Sequence, residues 1–172
     1  MLAGINDGIV ASDHSSGTID LPGAGLDLHA GGLVGLAEGL ISESYATGAV
    51  TSQQGNVGGL VNLTLFSDIE RSFATGHLQA PAPHYGKGGI AAQILEPGDP
   101  GRDTVWDTQT RGTNIAVASG PNGGTVNTAQ GLTTAQMSTP SSFSAAYDFG
   151  PNGVWAMPAG ATHPILRWQL AP

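Results

Sequence analysis

Five histidines are the residues of this sequence that first suggest chemistry, because imidazole is a common metal ligand and general base. They are His14, His29, His77, His84 and His163. None of them falls in an H-x-H or H-E-x-x-H spacing, which would bring two imidazoles to one metal ion. The chain also has no cysteine, so it has no thiolate ligand and no cysteine nucleophile. We therefore expect no dedicated metal site.

Calcium is a better metal candidate for an acidic, glycine-rich chain, because it takes oxygen ligands. The nonapeptide G-G-x-G-x-D-x-U-x, which binds calcium in some β-solenoids, is absent. The stretch GAGLDLHAGG, from Gly23 to Gly32, is only weakly similar to that nonapeptide. We expect no cofactor, with calcium as the open alternative.

Four carboxylates suggest acid–base chemistry of the kind found in polysaccharide hydrolases and lyases. They are Asp7, Glu38, Asp68 and Asp107. Asp7 and Glu38 occupy equivalent positions of an internal repeat, which favours a turn position over a catalytic pair. Lyases also need cations to hold acidic sugars, and the chain has only five basic residues: Lys87, Arg71, Arg102, Arg111 and Arg167. We therefore expect no catalysis.

Charge and hydropathy argue against two kinds of partner. The formal net charge is −8, so there is no basic stripe to neutralise phosphates, and nucleic acid is not expected. The longest apolar runs, such as Gly89–Leu95, have about seven residues, whereas a membrane-spanning helix needs roughly 20. The N-terminus lacks the pattern of a signal peptide. We expect either a cytosolic protein or, preferably, a piece of a longer one.

An internal repeat is the strongest signal in the sequence. GGLVGLAEGLISESYATGAV, residues 31–50, is followed by VGGLVNLTLFSDIERSFATGHL, residues 57–78. Ser44 aligns with Ser72 and Tyr45 with Phe73 at a spacing of 28 residues, and residues 2–19 align with residues 33–50 at a spacing of 31. A fourth unit opens at Gly86. The units therefore lie near 1–30, 31–56, 57–85 and 86–112, followed by a fading coil that ends near residue 130.

The pattern inside each unit predicts one coil of a parallel β-solenoid. The 27 glycines exclude helical repeats, because each glycine inside a helix costs about 0.5–1 kcal/mol relative to alanine. Residues of one type should then stack in rows that face inward through successive coils. The predicted rows are Leu2, Leu33, Leu60 and Ile90; Val10, Ile41 and Ile69; Ile19, Val50 and Leu78; and the aromatic row His14, Tyr45, Phe73 and Trp106.

The last part of the chain, residues 131–172, does not follow the repeat. Thr133 or Thr134 can begin a short helix that Pro140 ends, and short apolar strands surround Trp155 and the stretch PILRW. Because the last coil of a solenoid exposes its core and its edge amides, an atypical terminal segment is expected to cover it. We predict that residues 131–172 are a C-terminal cap or a connector to a further module.

The repeated pattern GGLVG…IS.SYATG.V, with VWDTQTRG and HPILRW after it, resembles the GLUG-repeat region of secreted bacterial adhesins of the filamentous haemagglutinin type. The resemblance implies an all-β, right-handed parallel β-solenoid of about four coils that is secreted or exposed on the bacterial surface. It also implies attachment to host or bacterial surface glycans or proteins, or a contact role in biofilm. The general right-handedness of parallel crossovers agrees with the implied hand.

Recognition is expected on loops that interrupt a coil. His84 and Tyr85 precede the fourth unit, and Asp99 and Arg102 lie in its insertion EPGDPGRD. These four residues are the predicted binding positions, and the alternative is that they only connect coils. The open first coil, beginning at Leu2, also suggests end-to-end self-association.

The class of function is expected to be a non-catalytic structural or adhesive repeat module. The alternative is a β-helical carbohydrate-active enzyme or a carbohydrate-binding module. An enzyme should gather carboxylates on one face of the solenoid, whereas a stalk should show varied, weakly charged outer faces.

Overall fold

Short strands bounded by glycine and polar turns stack on one another as parallel coils. The computed structural model describes residues 1–22, 30–81, 85–96, 98–99, 101–119 and 128–170. These described residues are all-β, a β-solenoid of about four turns with almost no helix. Fold class and strand direction are therefore as predicted, and the right-handed sense of the coil stays a prediction.

The described residues form five parallel sheets that run along the solenoid, and each coil contributes one strand to most of them. The first sheet contains β1 (Ala3–Asn6), β5 (Val34–Ala37), β10 (Val61–Thr64), β15 (Ala91–Ile94) and β17 (Val117–Ser119). The second contains β2 (Ile9–Ala11), β6 (Leu40–Ser42) and β11 (Ile69–Glu70). The third contains β3 (His14–Ser15), β7 (Tyr45–Ala46), β12 (Phe73–Ala74), β16 (Val105–Asp107) and β18 (Gln130–Leu132). The fourth contains β4 (Ile19–Leu21), β8 (Val50–Ser52) and β13 (Leu78–Gln79), and the fifth contains β9 (Val57–Gly58) and β14 (Lys87–Gly88).

The aliphatic rows pair across coils as the repeat alignment predicts. Ile41 pairs with Val10 on one side and with Ile69 on the other. Val50 likewise pairs with Ile19 and Leu78. The third row comprises Leu33, Leu60 and Ile90, each fully buried and one residue before the paired positions of the first sheet.

The aromatic row differs from the prediction in the direction it faces. Alternation within the strands of the third sheet turns Ala46 and Ala74 into the coil, so Tyr45 and Phe73 lie on the outer face. Their rings are stacked at 4.8 Å between centroids, and His14 stacks on Tyr45 at 5.2 Å. This outer row needs a cover of its own.

Trp106 corrects the repeat alignment by one residue. It pairs with Ala74, and Val105 is the residue that pairs with Phe73. The register of this coil differs because the insertion precedes it, so the Trp106 side chain enters the interior of the coil. A Cβ atom at Gly89 would overlap the indole ring, and Trp106 Nε1 donates to the carbonyl of Thr113 at 3.0 Å.

One corner of every coil uses the left-handed backbone conformation. The residue two positions before each strand of the third sheet has a positive φ between 45° and 58°. These residues are Ser12, Glu43, Arg71, Asp103 and Thr128. The serine that follows stabilises the corner in two coils: Ser44 Oγ accepts from the Asp13 amide, and Ser72 Oγ accepts from the Ser44 amide.

The C-terminal segment lies along the side of the solenoid, and the prediction that it also covers the last coil stays a prediction. It begins after β18, two residues beyond the boundary predicted at 130. Its elements are α2 (Thr134–Met137), a 3₁₀ turn at Pro140–Ser142, the antiparallel pair β19 (Trp155–Ala156) and β20 (Ile165–Leu166), and a 3₁₀ turn at Arg167–Gln169. Thr133 caps α2, as predicted, with Gln136 completing a capping box. A further short helix, α1 (Thr108–Arg111), follows β16.

This segment covers the outer aromatic row. Trp155, 1% exposed, lies 5.4 Å from the ring of Phe73 and 6.2 Å from that of Tyr45. Tyr147 donates to the carbonyl of Ser72 at 2.9 Å. At the first coil, Trp168 Nε1 donates to the carbonyl of Ser12 at 3.1 Å. The segment therefore clasps the coils laterally.

Among the described residues, no helix combines the length and the apolar character needed to cross a bilayer.

Candidate functional site

The insertion of the fourth coil joins a ladder of ion pairs. Arg71 contacts Glu43 at 3.3 Å and Glu70 at 2.7 Å, and Glu70 also contacts Arg102 at 3.3 Å. Arg102 in turn contacts Asp99 at 3.5 Å. The predicted binding residues Asp99 and Arg102 thus hold the insertion against neighbouring coils, although half of the Arg102 side chain remains exposed.

Tyr85 stands apart from that ladder. Its side chain is 41% exposed, and its amide donates to the carbonyl of Pro81. Within the described residues, no hydrogen bond, ion pair or ring contact joins Tyr85 to Asp99 or Arg102. His84 lies outside the described residues. The predicted binding positions therefore do not form one site in the part of the chain that the structure describes.

A cavity of about 420 Å³ opens instead between the third sheet and the C-terminal segment. Thr47 and Thr75 enter its wall directly after β7 and β12, at equivalent positions of successive coils. The other walls come from the turn at His77, from α1, from the start of α2 and from the loop before β20. Its lining residues are Thr47, Ala49, Thr75, Gly76, His77, Asp107, Thr110, Thr134, Thr162 and His163.

Asp107 organises one wall of this cavity. Its Oδ1 accepts from the amides of Gln109 and Thr110 at 2.9 and 3.0 Å, which caps α1. Its Oδ2 accepts from the hydroxyls of Thr110 and Thr134 at 3.0 and 2.7 Å, which ties α2 to α1. The side chain is buried and receives four hydrogen bonds, so Asp107 has a structural role here.

The two histidines of the cavity are held in one tautomer by backbone carbonyls. His77 Nδ1 lies 3.1 Å from the carbonyl oxygen of Thr110, and His163 Nδ1 lies 2.7 Å from that of Pro164. A carbonyl oxygen can only accept, so each neutral ring carries its proton on Nδ1. Each Nε2 is then a hydrogen-bond acceptor.

Behind Asp107 lies the fully buried guanidinium of Arg111. Its Nη1 packs against the backbone of Gly59, and none of its three nitrogens has a hydrogen-bond partner among the described residues. Burial lowers the pKa of Arg111 to about 9, with the negative charge of Asp107 acting in the opposite direction.

The candidate metal-ligating and catalytic residues do not meet at one site among the described residues. Among the described residues, no group of three or more His, Asp or Glu side chains is placed to hold a metal ion. The calcium-like stretch and His29 fall largely or wholly at positions 23–29, outside the described residues. Asp7, Glu38 and Asp68 are exposed, whereas Asp107 is buried.

The open face of the first coil is a second candidate surface. Each of β1 to β4 is the last strand of its sheet, and Leu2, Ile5 and Ile9 are 46%, 66% and 73% exposed. A Cβ atom at Gly39 would overlap the carbonyl oxygen of Gly8, whereas a Cβ atom at Gly8 would meet nothing within 4 Å. The first coil thus has glycine at position 8, where the next coil needs Gly39 to avoid a neighbouring carbonyl. At Gly8 the same need would arise only if a further coil stacked on this face.

Sequence reasoning missed the cavity because its walls come from distant parts of the chain. One signal was available: Thr47 and Thr75 occupy the same position in YATG and FATG. Each threonine directly follows a strand, so the repeat could have predicted that the pair lies on the surface. The repeat contains no signal that Thr162 and His163 lie opposite this pair.

Comparison with known proteins gives one match. Residues 28–51 match the family model of the GLUG motif. That segment contains the second coil from before β5 to within β8. No curated protein and no solved structure matches the chain.

Proposed function

We propose that this chain is a non-catalytic repeat module of a secreted, adhesin-like bacterial surface protein, and that it mediates attachment or biofilm contacts. The GLUG match at residues 28–51 supports a repeat module of an adhesin-like protein. The finer assignment to the filamentous haemagglutinin type rests on the sequence resemblance. Surface location is part of the same proposal.

The observation that carries this proposal is the stacking of coils up to an open face. Successive coils pair in parallel register, and the exposed first coil keeps the glycines that stacking requires. A rigid stack that is open to extension suits a stalk or a contact surface. It also supports end-to-end self-association through the first coil.

A carbohydrate-active enzyme remains the alternative from another class. Asp7 and Glu38 lie in adjacent coils, next to the paired residues Asn6 and Ala37. They are neighbouring exposed carboxylates on one side of the solenoid. Glycoside hydrolases use a pair of carboxylates, so this pair is the candidate catalytic pair under the enzyme alternative. A product assay separates the two proposals.

The direct test is an attachment assay. Beads coated with the chain are passed over immobilised glycans, extracellular proteins and biofilm matrix, with and without calcium. Beads coated with the heat-unfolded chain are the control. We expect retention of the folded chain without release of soluble sugar. Absence of retention on every surface would overturn the adhesive function, and released oligosaccharide would favour the enzyme.

A further inference from the structure

The cavity beside the third sheet presents polar atoms that make no hydrogen bond to other described residues. Among the described residues, the hydroxyls of Thr47, Thr75 and Thr162 have no hydrogen-bond partner, and all three line the cavity. In their neutral forms His77 and His163 add two Nε2 acceptors, because each Nδ1 lies against a backbone carbonyl oxygen and must donate to it. Three hydroxyls and two acceptor nitrogens that a ligand can reach match a molecule with several hydroxyls, since a hydroxyl both donates and accepts.

The charge of the cavity favours a neutral ligand. Its described lining includes the carboxylate of Asp107 and no lysine or arginine. An anionic ligand would meet that carboxylate without a compensating cation. A cationic ligand would compete with four hydrogen bonds that Asp107 already receives.

The volume of the cavity and the groove that continues from it fit a ligand made of more than one linked unit. Its volume of about 420 Å³ lies within the range of small-molecule sites, about 300–1,000 Å³. Thr134 and Thr162 also line an adjoining, more open groove of about 780 Å³. That groove runs past Ser138, Pro158 and Gly160, and Met157 also lines it.

We propose that this cavity and the adjoining groove bind a neutral oligosaccharide, with one sugar unit held by Thr47, Thr75, Thr162, His77 and His163. The proposal rests on the adhesive function and names its ligand class and its site. Sugar hydroxyls donate to the two imidazoles and exchange hydrogen bonds with the three threonines. The following units lie along the open groove.

The test compares matched glycans and matched variants of the intact chain. The probes are a panel of neutral tetrasaccharides and the same tetrasaccharides carrying a terminal sialic acid, and the readout is the dissociation constant from calorimetry. The variants are Thr47→Val with Thr75→Val, which remove two hydroxyls at nearly constant volume, and Thr51→Val on β8 as the control. Thermal unfolding checks that each variant folds.

We expect a neutral tetrasaccharide to bind, its sialylated form to bind more weakly, and the double variant to lose about tenfold in affinity. Thr51→Val should bind like the unmodified chain. If the double variant fails to fold, Thr162→Val, at an exposed position, should still weaken binding. Equal affinity of the double variant, or preference for sialylated probes, would overturn the site while leaving surface attachment intact. Absence of binding to all the tetrasaccharides, with bead retention preserved on protein, would also reject the glycan site. Absence of bead retention would instead reject the adhesive function.

Discussion

At the scale of single residues, Arg111 is the strongest departure from a conventional solenoid interior. A charge buried without hydrogen bonds is costly, and Asp107 compensates it only through space, because its oxygens already bind other donors. The arginine stem nevertheless fills the coil beside Gly59. The packing of the arginine stem therefore stabilises this part of the coil, whereas its buried charge destabilises it.

Replacing Arg111 with methionine should raise the free energy of unfolding by about 1 kcal/mol or more, because the stem is retained and the buried charge is removed. Arg111→Ala is the matched control, and it should be less stable than Arg111→Met because it leaves a cavity. Denaturant unfolding at pH 7 measures both. A lower stability for Arg111→Met than for the unmodified chain would contradict this reading.

Tyr147 predicts a dependence of stability on alkaline pH. Burial raises its pKa well above the ordinary value of 10, and the nearby charge of Asp103 adds to the shift. A raised pKa stabilises the fold fully below pH 10 and loses that contribution as the pH rises further, by up to about 1.4 kcal/mol per pH unit.

Tyr147→Phe should therefore lose less stability than the unmodified chain between pH 9 and 11, when unfolding is measured at several pH values. Arg111 has the opposite slope in this range, because its lowered pKa makes the fold more stable as the pH rises from about 9. Both proteins contain Arg111, so their difference reports Tyr147. Parallel pH profiles would contradict the burial of the phenol.

At the scale of elements, the lateral clasp is what allows an aromatic row on the outside of a coil. Tyr45 and Phe73 would otherwise expose stacked rings on the third sheet. Arg167 fixes the covering segment by donating to the carbonyls of Phe149, Gly150, Gly153 and Trp155. The cavity lies between this segment and the third sheet because the segment packs along the side of the coils.

Trp155→Ala should lower the free energy of unfolding by about 3–5 kcal/mol, because the indole is buried against Tyr45, Phe73 and Tyr147. Trp168→Ala is the comparison at the edge of the same clasp, since that residue is 62% exposed and donates a single hydrogen bond to the first coil. It should cost about 1 kcal/mol or less. Guanidinium unfolding followed by near-ultraviolet circular dichroism distinguishes them, and equal losses would argue against the clasp.

The repeat in the sequence predicted which residues pair between coils. It did not predict the features that depend on contacts between distant parts of the chain. Rows such as Val10, Ile41 and Ile69 follow from spacing, because equivalent residues of successive coils must pair. The position of Trp106 did not follow, because the insertion before it changes the register by one residue. The place of the covering segment depends on contacts between positions as distant as Tyr45 and Gln169, and the cavity inherits that dependence.

At the scale of the whole molecule, the open face of the first coil is the proposed contact surface. It has free strand edges and exposed aliphatic side chains. At the other end, β17 and β18 are the last described strands of their sheets, so an end-to-end contact would join the first coil of one copy to the last coil of another.

Sedimentation velocity at increasing concentration tests that expectation. We expect the unmodified chain to form larger species, and the double variant Gly8→Ala with Gly17→Ala to remain monomeric. Cβ atoms at these positions meet nothing within 4 Å in the isolated chain, whereas Cβ atoms at the equivalent Gly39 and Gly48 would overlap the carbonyl oxygens of Gly8 and Gly17. We therefore expect the two alanines to obstruct the carbonyl oxygens of a coil that stacks on this face. The same sedimentation coefficients for both proteins would exclude this face as the contact.

In-register stacking is the central claim, and one pair of substitutions tests it most directly. Gly8 and Gly39 occupy equivalent positions of adjacent coils, and only Gly39 lies against a carbonyl of the preceding coil. The measurement is the free energy of unfolding of Gly8→Ala and Gly39→Ala. We predict a loss of about 2–3 kcal/mol for Gly39→Ala and a change within about 0.5 kcal/mol for Gly8→Ala. Equal effects at the two positions would contradict the stacked coils.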